Sequence, residues 1–124
     1  MGFLAVKNIK DTTESKCTLY VFKFILRDGK VIYKVGITCV QPIDRMLQVL
    51  RSFYMAYRYI PEATMKRFRK VDDHFEKETL LHREFKEYQC TFEKHFDGYS
   101  ELFEMCEDTL LNRYDEITKC PSSK

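Results

Sequence analysis

The residues that are most informative about chemistry are an acid and an imidazole on one segment predicted to be helical. Glu78 and His82 are spaced as Glu-x-x-Leu-His. On a helical wheel they share a sector with the apolar side chains of the segment, which are Val71, Phe75, Leu81, Phe85 and Tyr88. A carboxylate on an inner face could hold Mg²⁺, which prefers oxygen ligands and takes others from water and a substrate phosphate. Alternatively, the two residues, four apart, satisfy each other as a partly buried pair.

Three further segments supply groups that could act on the same phosphate. Tyr20 lies in the first β-prone segment, and Tyr33 and Lys34 lie in the second. Arg45 follows in a predicted helix. A phosphodiester in its transition state is crowded with negative charge, so a cation with a planar guanidinium is a natural clamp. Taken singly, these residues could be ordinary strand aromatics, a solvated lysine and a surface ion pair, so the site hypothesis depends on the whole set.

The order and spacing of these residues resemble a known family. A first-strand tyrosine, Tyr33-Lys34-Val35-Gly36 in the second strand, a helix arginine and the Glu-x-x-Leu-His helix together resemble the GIY-YIG nuclease superfamily. The likeness is to its phage-type branch, which has YKxGxT and ExxLH motifs. It covers about residues 18–104, and residues 98–104 stand where that branch has a Gly-Glu-Trp-Phe-type ending.

This resemblance implies a metal-dependent endonuclease that hydrolyses phosphodiester bonds of nucleic acid, with DNA favoured. It implies that Glu78 holds one Mg²⁺ or Mn²⁺ ion, that Arg45 stabilises charge on the phosphate, and that Tyr20 activates or positions the attacking water. His82 is a candidate for a supporting or phosphate-contacting role. The first motif lacks its leading glycine, and Lys34 replaces the usual second tyrosine, as the branch tolerates. A lysine there could act as a general base, with Tyr33 as the rival candidate.

The hairpin loop decides whether Lys34 or Tyr33 accompanies Tyr20. Two β-prone runs are joined through Asp28-Gly29, which predicts a hairpin. A two-residue loop would place Tyr33 on the face of Tyr20. A three-residue loop with Gly29 in the left-handed conformation would place Lys34 there instead, because a one-residue slip reverses every side chain. We favour the three-residue loop because it brings the basic group of the motif beside Tyr20.

The remaining pattern predicts a single α+β domain over residues 1–124, with a small antiparallel sheet of about three strands flanked by helices. The predicted strands are residues 18–26, 31–38 and 53–60. The predicted helices begin at Pro42 and cover residues 71–89 and 101–114, with a short helix or loop at 63–70 and a polar tail at 120–124.

A basic stretch in the middle of the chain is a candidate nucleic-acid interface. Its cations are Arg51, Arg58, Lys66, Arg67, Arg69 and Lys70, interleaved with aromatic residues. Cations that neutralise phosphates and rings that stack on bases suit DNA or RNA without much sequence readout. The competing interpretation is a strand whose arginines face solvent while its rings face the core.

Charge is distributed unevenly along the chain. Residues 1–70 contain 14 Lys and Arg against 5 Asp and Glu, whereas residues 71–124 contain 7 against 14. The basic half could meet phosphate while the acidic half supplies a metal ligand. Alternatively, the two halves neutralise each other in the fold.

Length and composition exclude several classes of protein. With 124 residues, 44% of them hydrophobic, the chain fits one domain with a core, which excludes general disorder and a large multidomain enzyme. No apolar stretch approaches the ~18 residues of a membrane span, and residues 1–6 are too short for a signal peptide. We therefore expect a cytoplasmic protein, in the host cytoplasm if it is phage-encoded. The five cysteines include no CxxC pair and are expected to be reduced thiols.

A second function class fits the same residues. A catalytically inactive module with this fold could bind nucleic acid or a host protein. The length leaves no accessory DNA-recognition domain, so specificity must come from the fold itself or from a protein partner.

Overall fold

The hairpin predicted from Asp28-Gly29 is present and organises the sheet. The computed structural model describes residues 17–119. Its elements in order are β1 (Cys17–Ile25), β2 (Val31–Thr38), α1 (Pro42–Tyr57), β3 (Glu62–Val71), α2 (His74–Glu84), 3₁₀ turns at Lys86–Tyr88 and Tyr99–Glu101, β4 (Leu102–Phe103) and α3 (Glu107–Ile117). The sheet has the order β3-β1-β2-β4 with all neighbours antiparallel. The α+β prediction is therefore confirmed, with four strands in the sheet.

The loop of this hairpin has three residues, as favoured above. The Leu26 backbone N–H donates to the Lys30 carbonyl at 2.8 Å, and Gly29 has a φ of 92°. Because the loop has this length, Tyr20 pairs with Gly36 across the strands. Lys34 therefore shares the face of Tyr20, and the next side chain in either direction along β2 points to the opposite face.

The central strand β1 is covered on both faces, which explains its nearly continuous apolar sequence. One face, with Tyr20 and Phe22, packs against α1. The other face, with Leu19 and Val21, packs in a core with side chains of α2 and α3. A strand buried on both sides loses the alternation of a half-exposed strand. The candidate site residues Tyr20 and Lys34 therefore belong to a sheet that helices cover on both faces.

The two elements predicted within residues 53–70 are wrong, and tertiary packing is the reason. Residues 53–60 were predicted as a strand, but α1 continues to Tyr57 because Phe53 extends the buried stripe that begins at Met46. The helix ends at Arg58, which adopts a left-handed conformation and donates its N–H to the Tyr54 carbonyl. Residues 63–70 were predicted as a short helix or loop, but they form the edge strand that covers the free side of β1. Burial and pairing outweigh local propensity here.

The two later predicted helices are shorter in the structure. Helix α2 begins at His74, since Val71 still pairs with Cys17 in the sheet. Its inner stripe accordingly contains His74, Glu78, Leu81 and Phe85, while Phe75 is 67% exposed. Within the segment predicted as the last helix, a 3₁₀ turn and the short strand β4 precede α3. The prediction that Glu78 faces inward is confirmed although the helix bounds were wrong.

Cysteine pairing also differs from the expectation of reduced thiols. Cys17 and Cys39 form a disulfide between the start of β1 and the residue after β2. The antiparallel register brings these two ends together although they are 22 residues apart in sequence, so a search for close spacing misses them. Cys90 and Cys106 are free thiols. The predicted polar tail and the N-terminal residues 1–6 lie outside the described residues.

No helix in the described part of the chain is both long enough and apolar enough to cross a membrane.

Candidate functional site

A fully buried lysine lies at the centre of the candidate site. The Lys34 side chain has 0% exposure, and its Nζ donates to the Tyr20 hydroxyl at 2.6 Å. The same Nζ is 2.5 Å from Oε1 of Glu101, whose side chain is 30% exposed. A buried ammonium costs several kcal/mol unless it is paired and hydrogen-bonded. This arrangement satisfies both conditions and brings together the predicted residues Tyr20 and Lys34.

Glu101 is the member of this group that sequence reasoning missed as a site residue. The sequence places it only in the segment 98–104 that resembles a motif ending and at the start of the helix predicted over 101–114. Its 3₁₀ turn, however, runs directly into β4, which pairs with β2 through Lys34 and Leu102. Pairing of β4 with β2 therefore places Glu101 next to Lys34. One signal in the sequence could have found it: the prediction that Lys34 lies on a buried face, because a buried lysine requires an acidic partner.

The tyrosine in this group is held in one orientation. The Tyr20 ring stacks on Phe22 with centroids 4.0 Å apart and has no exposed surface. Its oxygen accepts the hydrogen bond from Lys34, so the phenolic proton points away from the ammonium and is available to another acceptor. Packing and hydrogen bonding together keep this hydroxyl in a defined position.

Two glycines make room for the lysine. A Cβ on Gly36 would lie 2.5 Å from the Tyr20 hydroxyl and 2.9 Å from Lys34 Nζ. A Cβ on Gly98 would overlap Lys34 Cε, and the φ of Gly98 is 80°. Any side chain at either position would displace the ammonium or the phenol. These glycines are therefore part of the candidate site.

We expect Gly98→Ala to destabilise the protein clearly more than Gly29→Ala. Both glycines have positive φ, so each alanine carries a backbone cost of about 1–2 kcal/mol. Only the Gly98 substitution also displaces Lys34, which adds about 1–3 kcal/mol for overpacking, since nothing lies within 4 Å of a Cβ at Gly29. Urea unfolding of the two variants measures the difference. Equal losses would show that Gly98 does not confine the lysine.

Glu78 lies close to this group on the inner face of α2. Its side chain is 15% exposed. Burial is the main cause that raises the pKa of Glu78, and the negative charge of Glu101 raises it further, while His82 and Lys34 lower it. The pKa of Glu78 thus responds to the charges of both Lys34 and Glu101. A carboxylate kept partly dehydrated beside a second carboxylate favours a cation.

His82 anchors the helix that carries Glu78. The Nε2 atom of His82 donates to the Val35 carbonyl at 2.7 Å, which connects α2 to β2. The same Nε2 is 3.9 Å from Oε2 of Glu78, too far for a hydrogen bond. The alternative in which the two side chains hydrogen-bond each other is therefore not what the structure shows. His82 instead fixes the helix to β2, and it thereby helps to position Glu78, which lies one helical turn before it.

The chemistry of these side chains fits one divalent cation held by few protein ligands. Within residues 17–119, no group of three or more His, Cys, Asp or Glu side chains is arranged to hold a metal ion. Mg²⁺ accepts such a site because water and phosphate oxygens complete its coordination. Among the described side chains, buried His74 Nδ1 lacks a hydrogen-bond partner, and it lies one helical turn before Glu78. Glu78 is thus the residue that fits a cation best.

Tyr33, the rival of Lys34, lies on the opposite face of the sheet. Its hydroxyl donates to Oε1 of Glu107 at 2.8 Å, at the start of α3. Burial and this hydrogen bond raise the pKa of Tyr33 above its ordinary range. The alternative with Tyr33 beside Tyr20 is therefore excluded by the three-residue loop. Tyr33 instead helps to attach α3 to the sheet.

We expect the acid stability of the protein to depend on Glu107. Hydrogen bonds from Lys23 and Tyr33, with Lys66 close by, lower the pKa of Glu107 from 4.5 to about 2. A depressed folded-state pKa contributes stability that is complete above the ordinary pKa and is lost as pH falls toward the lowered value. Glu107→Gln should therefore lose stability at neutral pH and show a weaker fall below pH 4.5 than wild type.

The measurement for Glu107 is the free energy of unfolding across this acid range. Glu93→Gln is the matched control, because Glu93 is exposed in the loop after Cys90. If both variants keep the pH dependence of the wild type, Glu107 does not attach α3 to the sheet as described.

Arg45 is less closely tied to this group. Its Nη1 donates to Oε1 of Gln48 at 3.0 Å, within the same helix. Helix α1 packs on the face of the sheet that contains Tyr20. The described hydrogen bond of Arg45 is thus local, and its proposed contact with phosphate remains a prediction.

Half of the predicted nucleic-acid-binding cations are engaged in ion pairs. Lys66 is 3.1 Å from Glu107, and Arg67 and Arg69 both bind Asp115 of α3. These pairs form because the basic edge strand lies beside an acidic helix, so here the two oppositely charged halves do neutralise each other. That these three residues bind nucleic acid stays a prediction, and in this structure each of them already has an acidic partner. The exposed cations that remain from the set are Arg51, Arg58 and Lys70.

Comparison with known proteins corrects the family expected from the motifs. A family model described as the T5orf172 domain matches residues 18–120. This family differs from the GIY-YIG superfamily, so the resemblance drawn from short motifs was wrong at the level of the family. T5orf172 domains are nuclease-like and DNA-binding, which is broadly compatible with an action on nucleic acid. No curated protein and no solved structure gives a significant match.

Proposed function

Because the chain belongs to the T5orf172 domain family, we propose that it is a metal-dependent endonuclease that hydrolyses phosphodiester bonds, preferably of DNA. The observation that carries this proposal is the buried Lys34, which bridges Tyr20 and Glu101 beside Glu78. Buried charges held beside partly exposed carboxylates are costly for folding and are typical of functional sites.

Exposure divides the residues into two groups with different roles. Tyr20 and Lys34 have no exposed surface, so they act as positioning residues rather than by touching the substrate. Glu78 and Glu101 are the members that solvent and a phosphate can reach. Lys34 binds Oε1 of Glu101 and leaves Oε2 to orient the attacking water. Glu78 would hold the cation.

A divalent cation in this site would polarise the phosphate and lower the pKa of a bound water. The protein contributes the orientation of the two carboxylates, which Lys34 and His82 maintain from β2 and α2. A guanidinium on α1 could stabilise the negative charge that develops on the phosphate, and Arg45 is the candidate. These roles agree with an in-line attack by water on a phosphodiester.

The burial of Tyr20 and Lys34 also favours a second candidate function, a catalytically inactive module that binds nucleic acid. In such a module the buried group would only stabilise the fold, while the exposed cations Arg51, Arg58 and Lys70 would contact phosphates.

Cleavage of a supercoiled plasmid tests the proposed function. We expect conversion to nicked and linear DNA with Mg²⁺ or Mn²⁺ and no conversion when EDTA removes the cation. A parallel reaction with a folded RNA measures the preference for DNA. Binding without cleavage of either substrate in either metal would support the inactive module and refute the nuclease.

A further inference from the structure

An open cavity of about 390 Å³ lies beside the candidate site. Its walls include Lys86, Phe92, His95 and Tyr99. The volume falls in the range of small-ligand pockets. None of these residues has a role in the proposed hydrolysis, so the cavity requires its own explanation.

The aromatic side of the cavity is a ready stacking platform. The rings of His95 and Tyr99 are parallel, with centroids 3.9 Å apart and planes at 7°. His95 is exposed, so its outer face can receive a third ring. Phe92 contacts Phe96 with centroids 5.0 Å apart, which supports the neighbouring wall. Flat aromatic surfaces of this kind bind nucleobases by stacking without regard to base identity.

The walls are held in place by hydrogen bonds, so the cavity does not have to form on binding. The Gln89 side-chain amide donates to the Ser100 carbonyl at 2.7 Å. The Cys90 N–H donates to the Leu102 carbonyl at 2.8 Å. The first bond joins two residues of the lining, and the second ties Cys90 of the lining to β4. A preformed pocket loses less conformational freedom when a ligand enters.

The position of the cavity connects it to the proposed hydrolysis. Tyr99 lines the cavity, and Glu101, two residues later in the same 3₁₀ turn, pairs with Lys34. A base stacked on this wall would therefore hold its sugar and phosphate close to the candidate site. Lys86 at the cavity adds a cation for a neighbouring phosphate.

We propose that this cavity binds an unpaired nucleobase, so that the substrate is single-stranded nucleic acid or a strand with an extruded nucleotide. A base inside a duplex is covered by its neighbours and cannot enter a side pocket. The inference deepens the proposed function, on which the substrate assignment rests.

Fluorescence anisotropy with a labelled oligothymidine and a matched labelled duplex, in EDTA so that neither is cleaved, tests the cavity. We expect wild type to bind the single strand at least about 5-fold more tightly than the duplex. His95→Ala should weaken single-strand binding by roughly 5-fold or more, through the lost stacking surface, and leave duplex binding unchanged. Phe75→Ala removes another exposed ring that lies outside the cavity and should change neither.

Equal binding of the two probes, or equal effects of His95→Ala and Phe75→Ala, would overturn the cavity proposal. Because binding is measured without metal, the two proposals fail separately. Binding of the single strand that depends on His95, in a protein that cleaves nothing, would refute the nuclease and keep the cavity. Plasmid cleavage by wild type, together with single-strand binding that His95→Ala leaves unchanged, would keep the nuclease and refute the cavity proposal.

Discussion

Glu78→Gln is expected to reduce plasmid cleavage by at least about 100-fold while leaving the protein as stable as wild type or more stable. The loss of activity follows because the amide cannot replace a carboxylate as a cation ligand, and such a ligand contributes several kcal/mol to the transition state. Stability should not fall, because burial and Glu101 make the ionised Glu78 unfavourable in the folded state. The measurements are cleavage rate in Mg²⁺ and urea unfolding without metal.

The sign of the pH dependence follows from the raised pKa of Glu78. An acid whose folded-state pKa lies above its ordinary 4.5 binds its proton more tightly in the folded protein. The free energy of unfolding of wild type therefore falls as pH rises from about the ordinary pKa through the raised one. Above the raised pKa this loss of stability stays constant. Glu78→Gln should not show this loss, so its advantage should appear only as pH rises through that window.

Glu76→Gln is the matched control for this substitution. Glu76 lies in the first turn of the same helix but is exposed, so the variant should cleave like wild type and unfold like wild type. Cleavage that survives Glu78→Gln would refute the assigned cation site. A clear loss of stability in Glu78→Gln would contradict the view that the folded protein disfavours its charge.

Lys34→Ala is expected to destabilise the protein by about 3 kcal/mol or more. The substitution removes the partner of Glu101, takes the donor from the Tyr20 hydroxyl and leaves a cavity between Gly36 and Gly98. Breaking a buried ion pair on one side and truncating a buried side chain both carry costs of this size. Urea unfolding monitored by circular dichroism measures the loss.

Lys34→Met separates the structural role of the lysine from its role in activity. Methionine fills a similar volume and leaves no cavity, and Glu101, whose side chain is 30% exposed, can be solvated once its partner is gone, so this variant should be clearly more stable than Lys34→Ala. Its cleavage rate should nevertheless fall roughly 10- to 100-fold, the usual range for residues that orient a ligand of the reaction.

The control for Lys34→Met is Lys23→Met. Lys23 is also a strand lysine in an ion pair, with Glu107 at 3.0 Å, but it belongs to the opposite face of the sheet. This variant should remain active. A Lys34→Met protein that is stable and fully active would reduce the buried group to a structural feature and refute its positioning role.

The predictions that the structure confirms are those with a strong local cause. The Asp28-Gly29 turn and two β-prone runs determine the hairpin, and the length of the loop sets which side chains share a face. The hydrogen bond between Lys34 and Tyr20 is possible because that parity puts both side chains on the same face. The inward orientation of Glu78 follows from its spacing to Leu81, which holds even though α2 begins later than predicted.

The errors in secondary structure arise in two neighbouring segments, each of which could form a helix or an edge strand on local propensity alone. Residues 53–60 and 63–70 both contain aromatic and β-branched or basic residues, and their local propensities do not separate helix from edge strand. The choice depends on which segment completes the stripe of α1 and which one reaches the free side of β1. Those are interactions between distant residues, and a local pattern does not contain them.

By itself the sequence determined the α+β class, the presence of the hairpin and the inward position of Glu78, and it narrowed the face parity of the hairpin to two alternatives. Only the tertiary structure decided that Glu101 pairs with Lys34, that Cys17 bonds to Cys39, and that basic residues of β3 are neutralised by α3. The physical reason is the range of the interactions. Turn chemistry and periodicity act within about ten residues, whereas ion pairs, strand order and disulfides depend on which distant segments the sheet brings together.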